Sequence, residues 1–155
     1  MMRALVLALA LVLAPALALA QTLSVTNAEG KETVFTPDSL AALPRAQAKL
    51  GGKAAYDGVQ LSAILREAGV AQGPRLHGKP MQAFVVVTGK DGYRAILSIA
   101  EVDPSFREAP VILADRREAG PLAAEEGPWR LVISDDARPD RGVRQVESIK
   151  VVIAP

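Results

Sequence analysis

The chemistry open to this chain is narrowed by its residue inventory. It contains no cysteine and a single histidine, His77. Without cysteine there is no thiolate nucleophile, no disulfide exchange and no cysteine-ligated metal. A lone histidine cannot form a multi-histidine metal site. His77 lies in a Gly/Pro-rich stretch between Arg75 and Lys79 and reads as a surface residue rather than a catalytic base. Asp135, Asp136 and Asp140 lie in "DDARPDRG". Their spacing is not that of an EF-hand loop, and Arg138 and Arg141 interleave with them, so they read as turn residues. Glu125 and Glu126 read as solvated, and no pair of carboxylates is spaced for acid–base work. GxSxG, GxGxxG, P-loop and HExxH motifs do not occur. No catalytic residue and no metal ligand is therefore assigned. The remaining pointer is arginine beside glycine: Arg130 after "EEGPW", and Arg141 and Arg144 flanking "GV". Such guanidinium groups clamp a phosphate or carboxylate through paired hydrogen bonds. The competing reading is surface pairing with the nearby aspartates.

Short elements must position these groups. "TLSVTNAEGKETVFT" reads as a hairpin turning at Gly30. "TPDSLAAL" reads as a short helix capped by Thr36, with Pro37 in its first turn. "GGKAAYDGVQLSAILREAG" (51–69) reads as a glycine-rich polar loop carrying Tyr56 and Asp57, feeding an amphipathic helix. Leu61, Ile64, Leu65 and Ala68 form its apolar stripe, and Gly69 stands just past its end. "AFVVV" reads as a strand buried on both faces, returning after "GKDG" as "YRAILS". Ser98 and Glu101 have capping-box spacing. "PVILA", "WRLVIS" and "VRQVESIKVVI" supply further strands, the last with a bulge. The segment 45–52, ending in the glycine pair, has no assigned structure, and "DRREAGPLAAEEGP" reads as a polar connection. Many short strands with three short helices, not alternating as βαβ units, give an α+β class with a mixed β-sheet.

Residues 1–20, "MMRALVLALALVLAPALALA", have one early positive charge, an apolar run and a small-x-small ending. They read as a secretory signal peptide, leaving 21–155 as one domain in the periplasm or outside the cell. Without Arg3, basic and acidic residues balance. That excludes the basic excess expected of a nucleic-acid binder. No other apolar run is long enough to span a bilayer.

Four stretches in order carry a family resemblance: "YDGVQLSAILREAGV", "VVVTGKDGYRAILSIAEVDP", "VILADRREAGPL" and "EEGPWRLVISDDARPDRGVRQVESIKVV". Together they resemble the molybdopterin-binding domain of the sulfite oxidase family, in its short, exported, single-domain form. Tyr56, Gly58 and Leu61 stand where the family opens its helix, and Asp91, Gly92 and Tyr93 match its "DGY" turn. Gly127, Pro128, Arg130, Leu131 and Val132 match a strand in which Trp129 replaces the usual leucine. Gly142, Val143 and Arg144 fall where the enzymes have a glycine and a basic residue near the pterin phosphate.

The resemblance implies the fold, and molybdopterin as the family's cofactor. The departure is chemical. The family's metal-ligating cysteine belongs before the helix, where this chain has "AQAKLGGKAAYDG". The histidine-rich pterin contacts also have no match. The expectation is a protein that has kept the scaffold and lost the redox centre. It would bind a small anionic ligand or a periplasmic protein partner, through Arg130 and Arg144 with Tyr56 and Asp57 on the rim. Two alternatives stand beside it. One is a molybdopterin-dependent oxidoreductase with an altered ligand, for which Asp57 is the candidate. The other is a structural or sensory partner that uses the fold's surface.

Overall fold

Period-2 burial organises several of the strands in the computed structural model, which describes residues 21–118 and 120–155. The expected signal peptide at 1–20 lies outside the described residues. The strands are β1 (Leu23–Thr26), β2 (Glu32–Phe35), β3 (Arg45–Leu50), β4 (Ala54–Gln60), β5 (Ala83–Gly89), β6 (Arg94–Ser98), β7 (Val111–Arg117), β8 (Gly120–Pro121), β9 (Arg130–Ile133) and β10 (Val146–Ile153). Three short helices join them: α1 (Pro37–Ala41), α2 (Leu61–Glu67) and α3 (Ile99–Val102). The first sheet runs β2-β1-β10-β5-β6 and is mixed, since β1 and β10 are parallel. The second runs β3-β4-β7, with β8 and β9 pairing successive stretches of β7. The α+β class with a mixed sheet is the observed one. Among the described residues no helix is long and apolar enough to cross a membrane.

The two sheets share one large core. Val25, Val85, Leu97 and Ile149 from the first sheet meet Val59, Leu113, Leu131 and Ile133 from the second, with Leu61, Ile64 and Leu65 of α2. The opposite face of the second sheet encloses a smaller cluster of Ala48, Tyr56, Ile112, Ala114 and Val132. Strands β7 and β9 therefore serve two cores, which is why Val111–Ala114 and Arg130–Ile133 are buried on both faces. Arg130 is the one charged side chain in that run.

Three local expectations are corrected. Residues 51–60 are not a loop. Gly51 and Gly52, both at positive φ, turn the chain from β3 into β4, and "AAYDGVQ" is a strand between β3 and β7. The "DG" stays in the strand opposite a bulge in β7 at Asp115, where the register shifts between Asp57 and Gly58. A Cβ on Gly58 would lie 2.2 Å from the Leu113 carbonyl oxygen, so close pairing with β7 requires glycine there. Second, "AFVVV" is not buried on both faces. Ala83, Val85 and Val87 are buried, while Phe84 and Val86 on the outer face are half-buried. Third, the "PVILA" strand continues through Arg117, into the stretch read as a polar connection.

The helix ends follow local rules. Thr36 accepts from the Ser39 N–H, and the Ser39 hydroxyl accepts from the Thr36 N–H. Ser98 and Glu101 form the same reciprocal box. The β6 edge is covered at one point by Arg141, which donates to the Ile96 carbonyl at 3.4 Å and to Glu101 at 3.1 Å. Such cover limits strand addition at a sheet edge.

Asp103, buried just past α3, ties this region to the loop after α2. Its carboxylate accepts from the Gly73 N–H at 2.5 Å and from the Ser105 N–H and hydroxyl at 2.8 and 2.6 Å. Burial pushes its pKa up, but these hydrogen bonds outweigh burial and hold it below the ordinary aspartate range. A depressed carboxylate stabilises the fold above its unfolded pKa, and that contribution is lost as pH falls through the folded value. Asp103→Asn places an amide donor against the Gly73 N–H or the Ser105 donors. It should lower stability by about 2 kcal/mol at neutral pH, the cost of a buried donor left unpaired. Urea unfolding at several pH values checks this: the wild-type advantage should shrink below about pH 4.

Candidate functional site

Arg130 and Arg144 reach one cleft of about 310 Å³, at the junction of the β5–β6 turn with the loop before β10. Asp91, Tyr93 and Asp140 also line it. Arg130 rises from β9 on the side of the small cluster and is 5 % exposed. Its Nη1 forms an ion pair with Glu126 and donates to the Tyr56 hydroxyl at 3.3 Å. The Arg130 Nε has no partner among the described residues. Arg144 is exposed and has no ion pair among the described residues.

Tyr56 is not on a rim. It is 2 % exposed, packed beneath Arg130, with the Arg130 and Arg117 guanidinium carbons 5.5 and 5.7 Å from its ring centre. Burial pushes its hydroxyl above the ordinary tyrosine range, against the pull of Arg130. It therefore stays protonated at neutral pH and donates to Glu126 at 3.3 Å. Tyr56, Glu126 and Arg130 form a closed unit in which the guanidinium already has a counter-ion.

Asp57, the neighbour of Tyr56, belongs to a different cluster. Arg45 donates to Asp57 at 2.5 and 2.9 Å and to Asp115 at 2.7 and 3.0 Å. Asp115 first, and then Asp57, raise the Arg45 guanidinium further above its already high range. The structure thus brings Arg130, Arg144 and, underneath, Tyr56 together, and places Asp57 elsewhere.

The aspartates of "DDARPDRG" are held by arginines. Asp136 and Glu101 hold Arg141, Asp135 lies 3.4 Å from Arg107, and Asp140 lies 2.9 Å from Arg138. His77 is exposed. Among the described residues, no three His, Cys, Asp or Glu side chains converge as a metal would need. Sequence reasoning missed Glu126 as the partner of Arg130. The signal available was their separation of four residues, with Glu126 at the end of the turn closed by Ala123 and Gly127.

No family model matches the chain, and no curated protein sequence does. Among solved structures it is similar to the sulfane dehydrogenase SoxCD from Paracoccus pantotrophus, with a TM-score of 0.65 and 19% sequence identity. The match covers 86% of this chain and 38% of that one. The fold is sulfite-oxidase-like. At this identity the likeness establishes fold alone, and the chain spans well under half of the SoxCD chain it matches.

The cofactor implied by such a fold can be tested against the donors present. A molybdenum centre of the sulfite oxidase family takes a thiolate, as the resemblance implies, and this sequence has no cysteine. Asp57, the alternative ligand, is engaged by Arg45. Arg130, the basic residue best placed at the cleft floor, is engaged by Glu126. The side chains do not fit a molybdenum-ligating site.

Proposed function

We propose that this is an exported, non-catalytic protein that binds a small anionic ligand, or an anionic group of a protein partner, in the Arg130–Arg144 cleft. One observation carries the reading: Arg144, exposed and without an ion pair among the described residues, and the buried Arg130 line the same cleft. Arg144 makes the primary contact. Arg130 adds field from the floor, reduced by Glu126. The lack of a thiolate supports the non-catalytic half. Export to the periplasm or the exterior, without a nucleic-acid partner, belongs to the same proposal and rests on residues 1–20 and the balanced charge.

Two measurements test it. Protein purified from a host that makes molybdopterin should contain no stoichiometric molybdenum by elemental analysis and no pterin by fluorescence after oxidation. Finding either overturns the non-catalytic reading. Inorganic phosphate should bind, and Arg144→Ala should weaken it about tenfold, the loss of one charge-assisted contact. Phosphate affinity unchanged in both Arg144→Ala and Arg130→Ala rejects the cleft as an anion site.

A further inference from the structure

The cleft is not simply cationic. Of its charged lining, Arg130 is paired with Glu126 and Asp140 with Arg138. Arg144 and Asp91 remain, and neither has an ion pair among the described residues. These two are close through the backbone. A point built as Cβ on Gly89 lies 2.5 Å from the Arg144 carbonyl oxygen and 3.2 Å from the Asp91 Oδ1. Asp91 accepts one hydrogen bond, from the Tyr93 N–H at 2.9 Å, so its second oxygen remains for a ligand.

The same cleft has one aromatic lining residue, Tyr93. Tyr93 is half exposed, and its hydroxyl donates to the Asp140 carbonyl at 2.6 Å. That bond fixes the ring across the cleft, from the β5–β6 turn to the loop before β10. A fixed ring face beside a carboxylate attracts an ammonium group through its quadrupole. Opposite charges lining one small site favour a ligand carrying both, because only such a ligand gives each of them a partner.

We infer that the ligand of this cleft is a small zwitterion, its carboxylate on Arg144 and its ammonium between Asp91 and the Tyr93 ring. This rests on the anion reading above and narrows it. The anion is one end of an amino-acid-like molecule, and the cleft volume suits a ligand of that size.

Calorimetric titration of the full secreted protein with glycine, 4-aminobutyrate and glycine betaine tests the inference. Acetate, butyrate, methylammonium and butylammonium serve as single-charge controls. At least one zwitterion should bind tenfold or more tightly than its controls, and Asp91→Asn and Arg144→Gln should each remove that advantage. If Asp91→Asn binds the zwitterion unchanged, or acetate and butyrate bind as tightly as the amino acids, the zwitterion reading falls and the anion reading stands. If neither zwitterion nor carboxylate nor phosphate binds, both fall. Circular dichroism and thermal melts of the two variants separate lost binding from lost fold, since both positions are exposed.

Discussion

Gly58→Ala should destabilise the protein by about 3 kcal/mol or more, at the upper end of what adding a single methyl costs. The added Cβ would lie 2.2 Å from the Leu113 carbonyl oxygen, 2.4 Å from the Ala114 Cα and 2.7 Å from the Leu113 carbonyl carbon. All three atoms are backbone, so no rotamer change relieves the clash. Relief would require β4 to part from β7, which Gly58 joins at the bulge. Strand β7 is buried on both faces and cannot retreat without opening one of the two cores. The melting temperature and the urea midpoint should both fall sharply. An Asp57→Ala control, which removes a partly exposed partner of Arg45, should shift them far less. A small effect of Gly58→Ala would mean that the bulge is not closely packed.

The same glycine shows where the sequence was legible and where it was not. Hairpins were readable where turn chemistry is local, as in "NAEGK" and "GKDG", and so were the caps at Thr36 and Ser98. Strand β3 was also readable in principle: Arg45, Gln47 and Lys49 alternate with Ala46, Ala48 and Leu50, which is period-2 burial. It was obscured because alanine and lysine are weak strand formers and a glycine pair follows. Strand β4 was misread for a deeper reason. Its "YDG" has the composition of a turn, and the close approach that requires Gly58 is a tertiary fact.

The candidate site was legible to the same degree. Glycine context pointed to Arg130 and Arg144, and folding brings both to one cleft. The same context gave no sign that Arg130 is buried, nor that Tyr56 and Asp57, adjacent in sequence, would join separate clusters. Asp91 and Tyr93 read only as a turn. Their role as cleft walls depends on the loop before β10 arriving from fifty residues on, which is roughly the Tyr93–Asp140 separation closed by a hydrogen bond.

Glu126→Gln should cost about 3–5 kcal/mol, the usual penalty for stranding one member of a buried ion pair. The Arg130 and Glu126 side chains are 6 % and 12 % exposed, and Nε of Arg130 already lacks a partner among the described residues. Removing the carboxylate leaves a guanidinium facing the Tyr56 hydroxyl and ring without a counter-ion. The double variant Glu126→Gln/Arg130→Met should recover most of the loss, because replacing both charges removes the desolvation problem itself. Phosphate then reports whether Arg130 is accessible from the cleft. If an anion can reach its guanidinium, added phosphate should raise the melting temperature of Glu126→Gln more than that of the wild type, because it supplies the missing charge. If phosphate stabilises both equally, Arg130 is sealed beneath the floor and the anion contact belongs to Arg144 alone. The first outcome makes Glu126 an internal stand-in for the ligand, holding Arg130 neutralised until an external anion competes for it.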